Sequence, residues 1–180
     1  MPIKQVIIIG DDRLRQKAKK VKQFTPALKQ LVQDMLETMQ HYDGVGLAAP
    51  QIGVMQRLFV AAIPITEDDD SEPHPQSGET HVLINPVVVR TASNIIEGEE
   101  GCLSIPNWRG LVERPEWVEV RAQDVSGRSF KVKVNDLLAR IFQHEIDHLD
   151  GRLYLDHIKN GEKLWELVPE DDGDFEPSEA

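Results

Sequence analysis

The run Gln143-His144-Glu145-Ile146-Asp147-His148 places two imidazoles four residues apart, with a carboxylate directly after the first. On a helix that spacing stacks His144 and His148 on one face, one turn apart, where both can reach a single metal ion. Glu145 lies off that line. It is too displaced to complete the pair as a ligand, yet close enough to take a proton from water held by the metal. The plain alternative is a pair of solvated or packed histidines, and the surroundings weigh against it. Asn135 or Asp136 can cap a helix, Leu137, Leu138, Ile141, Phe142, Ile146 and Leu149 recur at helical spacing, and Gly151 supplies a stop. An apolar helix makes an unpaired imidazole costly to bury, and a metal removes that cost. The pattern reads as a hydrolytic metal site.

A catalytic site of this kind takes three protein ligands and leaves a fourth position for water. The protease spacing H-E-x-x-H-x-x-G-x-x-H finds Gly151 in place but Tyr154 where its third histidine belongs, so that reading lacks a ligand. A glutamate from a following helix would have to be Glu162 or Glu166, on a short segment before an acidic tail. The other source is Cys102, the only cysteine. It has no intramolecular disulfide partner, which fits a reducing compartment, and its ordinary reading is a small buried hydrophobe. Within Glu100-Gly101-Cys102-Leu103-Ser104, the glycine allows close backbone approach, and an extended segment can present an N–H beside a metal. A further segment, Gly44-Val45-Gly46-Leu47-Ala48-Ala49-Pro50-Gln51, combines small residues that permit tight approach with Pro50, which stiffens it. Gln51 offers an amide that can donate to a developing oxyanion. Alone this segment reads as a loop after a helix. It lacks the ending of a phosphate loop, and no strand pattern leads into it.

Together G-V-G-L-A-A-P-Q, E-G-C-L-S and Q-H-E-I-D-H closely resemble, in order and separation, the three signature motifs of the peptide deformylase family. The resemblance runs from Ile9-Gly10-Asp11-Asp12-Arg13-Leu14-Arg15 to about Ile158. It implies that Cys102, His144 and His148 hold one divalent metal ion and that Glu145 is the general base and acid. Gln51 and the backbone N–H of Leu103 would form the oxyanion hole. The implied reaction removes the formyl group from the initiator methionine of newly made bacterial-type polypeptides and releases formate. A metal-bound water activated by Glu145 would attack the formyl carbon, and Glu145 would return the proton to the leaving amine. The implied ion is Fe2+, with Ni2+, Co2+ or Zn2+ as substitutes, and a ferrous ion beside a thiolate implies sensitivity to oxygen.

The methionine side chain needs an apolar pocket, for which Val45, Gly46, Leu137 and Ile141 are the candidates. Arg109 resembles a position near the substrate backbone or the mouth. Two positions depart from the common pattern. Gly98 stands where an apolar pocket residue is common, and Arg140, which is expected to face solvent, stands where a small or apolar residue is common. Two other functions compete with this reading. One is a zincin-like peptidase that shares the helix motif. The other is a formyl-peptide binder, or a closed structural metal site, in which Glu145 is only a surface charge; the intact Glu145 and Gln51 argue against it.

The elements that must position these groups point to a single α+β domain, with antiparallel β-sheets packed around a central H-E-x-x-H helix. Thr25 and Pro26 start a helix whose Leu28, Leu31, Val32, Met35, Leu36 and Met39 form one stripe. Strands are expected at 58–63 and 82–90. Residues 118–122 and 130–134 alternate strictly and are joined through Ser126-Gly127 as an antiparallel pair. Leu164, Trp165, Leu167 and Val168 suggest a short helical turn that Pro169 stops. The chain has 180 residues, 40% of them hydrophobic, enough for a core without disulfides.

The formal net charge of -11 is unevenly spread. Six acids fall in 64–80 and six in 169–180, with no Lys or Arg in either stretch; removing these twelve from the 31 acids leaves 19 against 20 bases. Residues 1–168 are therefore expected to form the catalytic domain, with an acidic loop insertion at about 64–80 and an acidic, disordered tail at 169–180. The near-neutral body and acidic tail give no expectation of nucleic-acid binding. N-formylmethionyl nascent peptides are the expected partners. The ribosome is a candidate partner, although the tail is acidic where a basic C-terminal helix would serve that contact. No apolar run approaches a membrane span, and Val6-Ile7-Ile8-Ile9 is too short for a signal-peptide core, so the cytoplasm is the expected location.

Overall fold

A computed structural model of the chain describes residues 3–65 and 76–168. Most of the expected acidic insertion and the whole of the expected tail lie outside the described residues. In chain order the regular elements are α1 (Pro26–His41), β1 (Gly46–Ala48), β2 (Leu58–Ala62), β3 (Thr80–Thr91), β4 (Ile95–Cys102), β5 (Ile105–Pro115), β6 (Trp117–Gln123), β7 (Ser129–Asn135), α2 (Asp136–Leu149) and β8 (Leu164–Glu166). The strands form a five-stranded sheet in the order β1-β2-β3-β6-β7 and a three-stranded sheet in the order β4-β5-β8. Every pairing between them is antiparallel.

Local chemistry accounts for the helix ends. The Thr25 hydroxyl accepts from the Leu28 N–H, and Pro26 occupies the first turn, where a missing N–H costs nothing. Leu28, Val32, Met35 and Met39 then fall on one face of α1 and pack with Leu47, Leu58 and Val60. At the end of α2, Gly151 takes the left-handed conformation (φ 72°) that turns the chain away. The Leu149 carbonyl there accepts from the Ala18 N–H at 2.9 Å and from Arg57 at 3.4 Å, so orphan helix carbonyls are satisfied by distant segments.

α2 lies between the two sheets. Leu138, Phe142, Ile146 and Leu149 pack with Phe59, Leu83, Val118 and Val120 of the larger sheet, and Phe142 meets Phe59 edge to face with ring centroids 5.2 Å apart. The other side of the helix carries Arg140, His144, Asp147 and His148 toward β4 and β5. Three of the four expected strands fall within β3, β6 and β7, and the fourth, 58–63, overruns β2 by Ile63, which makes only an isolated bridge to Ser77. The expected helical turn at 164–168 does not form. Gly161–Lys163 makes a single 3-10 turn, and Leu164–Glu166 instead pairs with Gly110–Trp108 of β5, which supplies the backbone partners a lone turn would lack. The glycine-rich segment, expected as a loop, contributes β1.

Candidate metal centre

Cys102 ends β4, where the pairing register with β5 shifts and turns the chain toward α2. His144 and His148 rise one turn apart on α2, so strand end and helix face converge. Nε2 of His148 lies 3.2 Å from Cys102 Sγ and 3.2 Å from Nε2 of His144. The ligand atoms of all three residues lie within 4.8 Å of one another, and all three side chains are buried. Among the described residues this is the only such cluster; Glu162, in the 3-10 turn Gly161–Lys163, and Glu166, at the end of β8, are exposed and take no part. Tyr154, at the position where the protease spacing wants a third histidine, is buried and stacks its ring on His144 at 6.0 Å. Burial pushes its phenol up to about 12, so it stays neutral.

The electrostatics favour a positive charge among these groups. Burial works against charging His144, yet the hydrogen bonds to Cys102 and Glu100 outweigh it and hold its pKa well above the usual value. His148 is pushed the other way, by burial and then by the charge on His144, and stays neutral. A site with one thiol, two imidazoles and a carboxylate behind them draws in a cation, and the donor set fits one metal ion. The carboxylate is Glu100, whose Oε2 lies 2.9 Å from Nδ1 of His144 and fixes the ring with Nε2 turned to the cluster.

Glu145 is buried beside the cluster. Burial is the main cause that pushes its carboxyl up to about 7, and its Oε2 has no protein partner among the described residues. Gly46 of β1 makes room for it, since a Cβ there would collide with the carboxylate. The buried Gln51 accepts the Ala48 N–H at 2.8 Å through Oε1, which points Nε2 at Cys102 Sγ (3.5 Å) and Ser104 Oγ (3.3 Å). Leu103 sits in the β4-β5 turn. Its C-terminal neighbour is tied in by Ile9, whose N–H donates to Ser104 O at 2.8 Å. A cavity of about 680 Å³ lies over these groups and is lined by Val45, Gly46, Arg109, Leu137, Ile141 and Glu145, among others. Val45 and Leu137 are exposed, while Ile141 is buried.

The family model for polypeptide deformylase matches residues 3–164. The chain belongs to that family. The peptide deformylase of Thermomicrobium roseum is 43% identical over 172 residues, covering 96% of this chain and 94% of its own, and that of Rickettsia akari is 41% identical over 160 residues, covering 89% and 90%. Among solved structures, the peptide deformylase from Thermotoga maritima superposes with a TM-score of 0.80 at 36% identity, covering 89% of this chain and 100% of that one. The class I type b enzyme from Acinetobacter baumannii with Met-Ala-Ser bound gives 0.79 at 34%, covering 87% and 99%. The expected α+β fold with antiparallel sheets about the H-E-x-x-H helix is that of these deformylases, and the chain, like them, is a hydrolase.

One expectation about this deformylase is overturned. Arg140 does not face solvent; its side chain is 13% exposed and reaches across to β4 and β5, donating to Glu100 and to three main-chain carbonyls. Carbonyl acceptors on a neighbouring sheet outbid water for a guanidinium that can reach them. The role of Glu100 and its partners is also absent from the sequence reading. Arg114 grips Glu100 through two nitrogens at 2.8 and 3.0 Å and contacts Asp147 at 2.6 Å, and Asp147 in turn meets His157 at 2.7 Å.

Proposed function

We propose that the chain removes the N-formyl group from the initiator methionine of newly made polypeptides, by metal-dependent hydrolysis that releases formate. The observation that carries this reading is the convergence of Cys102, His144 and His148 with the Glu145 carboxyl, whose Oε2 has no protein partner, under one cavity. Cys102, His144 and His148 hold the ion, which is ferrous iron in the cell, with nickel, cobalt or zinc as substitutes. When bound, the ion supplies Lewis acidity, lowering the pKa of water and drawing charge from the formyl oxygen.

The remaining work falls to side chains. Glu145, whose carboxyl is buried and keeps Oε2 without a protein partner, takes the proton of the attacking water and later delivers it to the departing amine. One water is consumed and the formyl C–N bond breaks, so formate and a free amino terminus leave. The Gln51 amide and the Leu103 N–H donate to the oxygen that gains charge. The methionine side chain covers Val45, Leu137 and Ile141, and the backbone passes Gly46 and Arg109. The Met-Ala-Ser bound to the Acinetobacter enzyme has the methionyl start that such a product would have. Nascent chains carry this substrate in the cytoplasm, which places the enzyme there; among the described residues no helix is long and apolar enough to cross a membrane.

Mass spectrometry of a formyl-methionyl tripeptide, incubated with protein purified without oxygen and loaded with ferrous iron or nickel, tests the proposal. Loss of the formyl group with peptide bonds intact is expected. Internal cleavage would revive the peptidase, and an unchanged peptide with metal bound would favour a binder. Glu145→Ala is expected to lower kcat by about 10²- to 10⁴-fold with metal content unchanged; an unaltered rate removes Glu145 from the mechanism.

A further inference from the structure

We infer that a basic face, running from residues 19–22 onto the outer side of the larger sheet, docks on the phosphate backbone of folded RNA through Lys19, Lys20, Lys22, Arg121 and Lys131. The net charge of -11 hides this face, because a sum does not say where charges stand. From Arg13 to Gln33 the chain has seven bases and no acid. None of the five docking cations lines the cavity over the metal centre.

The segment that carries the lysines is held stiffly. The Ala18 N–H donates to Leu149 O and the Lys19 N–H to Met55 O, both at 2.9 Å, while Lys19 O accepts from the Arg57 N–H at 2.7 Å. The Asn85 side chain takes both main-chain groups of Val21, at 2.8 and 2.9 Å. Ala18 and Val21 are buried, and Lys19, Lys20 and Lys22 are exposed. These three line a groove of about 620 Å³ with Gln23 and Gln56. Lys20 also lines a smaller groove of about 230 Å³ with Asn85, Val87, Arg121 and Ser129, so it joins the two.

The sheet supplies the other cations. Val118, Val120 and Ala122 of β6 pack with α2, so Arg121 between them points outward, and the register sets it directly opposite Lys131 of β7. Like charges opposite each other cost a sheet stability, whereas two residues back along β6 Glu119 faces Lys133 as a matched pair. Nearby acids are engaged elsewhere: Asp150 by Arg57 at 2.8 Å, and Asp124 by Arg128 at 3.1 Å. Cations kept together at a cost to the sheet point to an anion that relieves it.

The surface favours one class of polyanion. A protein partner needs an apolar centre to its interface, and the two grooves offer a single exposed large apolar side chain, Val87. A nucleic-acid backbone needs only fixed cations. Newly made polypeptides emerge from a particle rich in RNA, so an enzyme that trims them gains by holding RNA. The choice of RNA thus rests on the deformylase reading, while the anion-binding face does not.

Anisotropy of a fluorescein-labelled RNA hairpin, titrated with the nickel-loaded full chain at rising salt, tests this. Wild-type affinity is expected to fall with a log-log salt slope of about -3 to -5, as for counterions released from a like number of phosphates. Lys20→Glu, at the junction of the grooves, is expected to weaken binding by about fivefold or more and to flatten the slope by about 1. Arg121→Glu gains an opposite charge across from Lys131, so it is expected to raise Tm by about 1 to 3 °C while RNA affinity falls. A merely structural residue does not give firmer folding with weaker binding. Lys159→Glu makes the same change of charge next to Ile158, which packs with the three-stranded sheet, and is expected to bind RNA within about twofold of wild type. All three variants are expected to deformylate a formyl-methionyl tripeptide as wild type does. Four results overturn the inference: no RNA binding by wild type at low salt, equal losses in Lys159→Glu and Lys20→Glu, tighter binding of the matching DNA hairpin, or displacement of RNA by polyglutamate at equal charge. The last would assign the face to an acidic protein segment. A wild-type protein that binds RNA through these residues yet leaves the tripeptide formylated overturns the deformylase reading alone.

Discussion

Glu100 supports the centre through three partners: Arg114 on both oxygens, Arg140 on one, and Nδ1 of His144 on the other. Burial by itself would push its carboxyl up, but the hydrogen bonds from Arg114 and His144 hold it well below the usual carboxylate range. A carboxyl depressed in the folded state adds stability that is complete above its unfolded value of 4.5 and is lost as pH falls toward the folded value. Glu100→Gln is therefore expected to be less stable than wild type near neutrality by about 3 to 5 kcal/mol, since it leaves buried guanidinium charge short of a partner. The gap should narrow as pH falls below about 4.5, where the carboxyl of the unfolded chain gains its proton while the folded one stays ionised. Thermal melts of both proteins across that range check this; a constant gap removes the ionised Glu100 from the account. Much of the centre is legible from residue types and spacing alone: H-E-x-x-H, the lone Cys102 and the Gln51 segment all meet at one place. Glu100 was also within reach, because two residues apart in an extended segment puts it on the face of Cys102. Arg114 and Arg140 were not. Their partners lie 14 to 44 residues away, and a charged residue beside an apolar helical stripe is ordinarily given to solvent.

β4 shows the same limit among the elements. Glu97-Gly98-Glu99-Glu100-Gly101 has residues that strands disfavour, yet it pairs residue by residue with β5 from Ile95↔Pro115 to Gly101↔Arg109. Its glycines are there for neighbouring side chains, which single-strand propensity cannot register. β8 was misread for a related reason, since apolar spacing over five residues does not distinguish a turn from a short strand until β5 offers a partner. α2 was legible because its apolar repeat is long and matches the buried face. That face also fixes the proposed metal ligands, since Phe142 sits fully buried between Phe59 and the His81 ring on the side opposite His144. Phe142→Ala is expected to cost about 3 to 5 kcal/mol, through lost burial and a cavity under the helix. Chemical denaturation should show the midpoint fall with an unchanged denaturant slope. A loss under about 1 kcal/mol would mean that α2 is anchored mainly by its polar side.

Across the whole molecule, the proposed metal ligands come from parts of the fold that share no strand pairing. Cys102 belongs to the three-stranded sheet, and the histidines to the helix packed on the five-stranded one. The order of the larger sheet could not be read from sequence, because β3 pairs with β6 across two strands that join the other sheet. An ion held by the cluster would tie the two sheets together, binding the folded chain and not the unfolded one. Such a ligand at a hundredfold excess over its Kd adds about 2.7 kcal/mol, and in a chain of this length each kcal/mol moves Tm by about 2 to 4 °C. Stripping the metal with a chelator is therefore expected to lower Tm by about 5 to 11 °C, and adding nickel after removal of the chelator to restore it. Cys102→Ser keeps the size of the side chain but gives up the thiolate, so its Tm should respond to nickel by less than half as much. Melting curves paired with metal analysis decide the matter. If Tm stays unchanged while the metal is shown to be gone, the two sheets are held by protein contacts, those of Glu100, Arg114, Arg140 and Asp147 among them, and the ion serves chemistry without serving the fold.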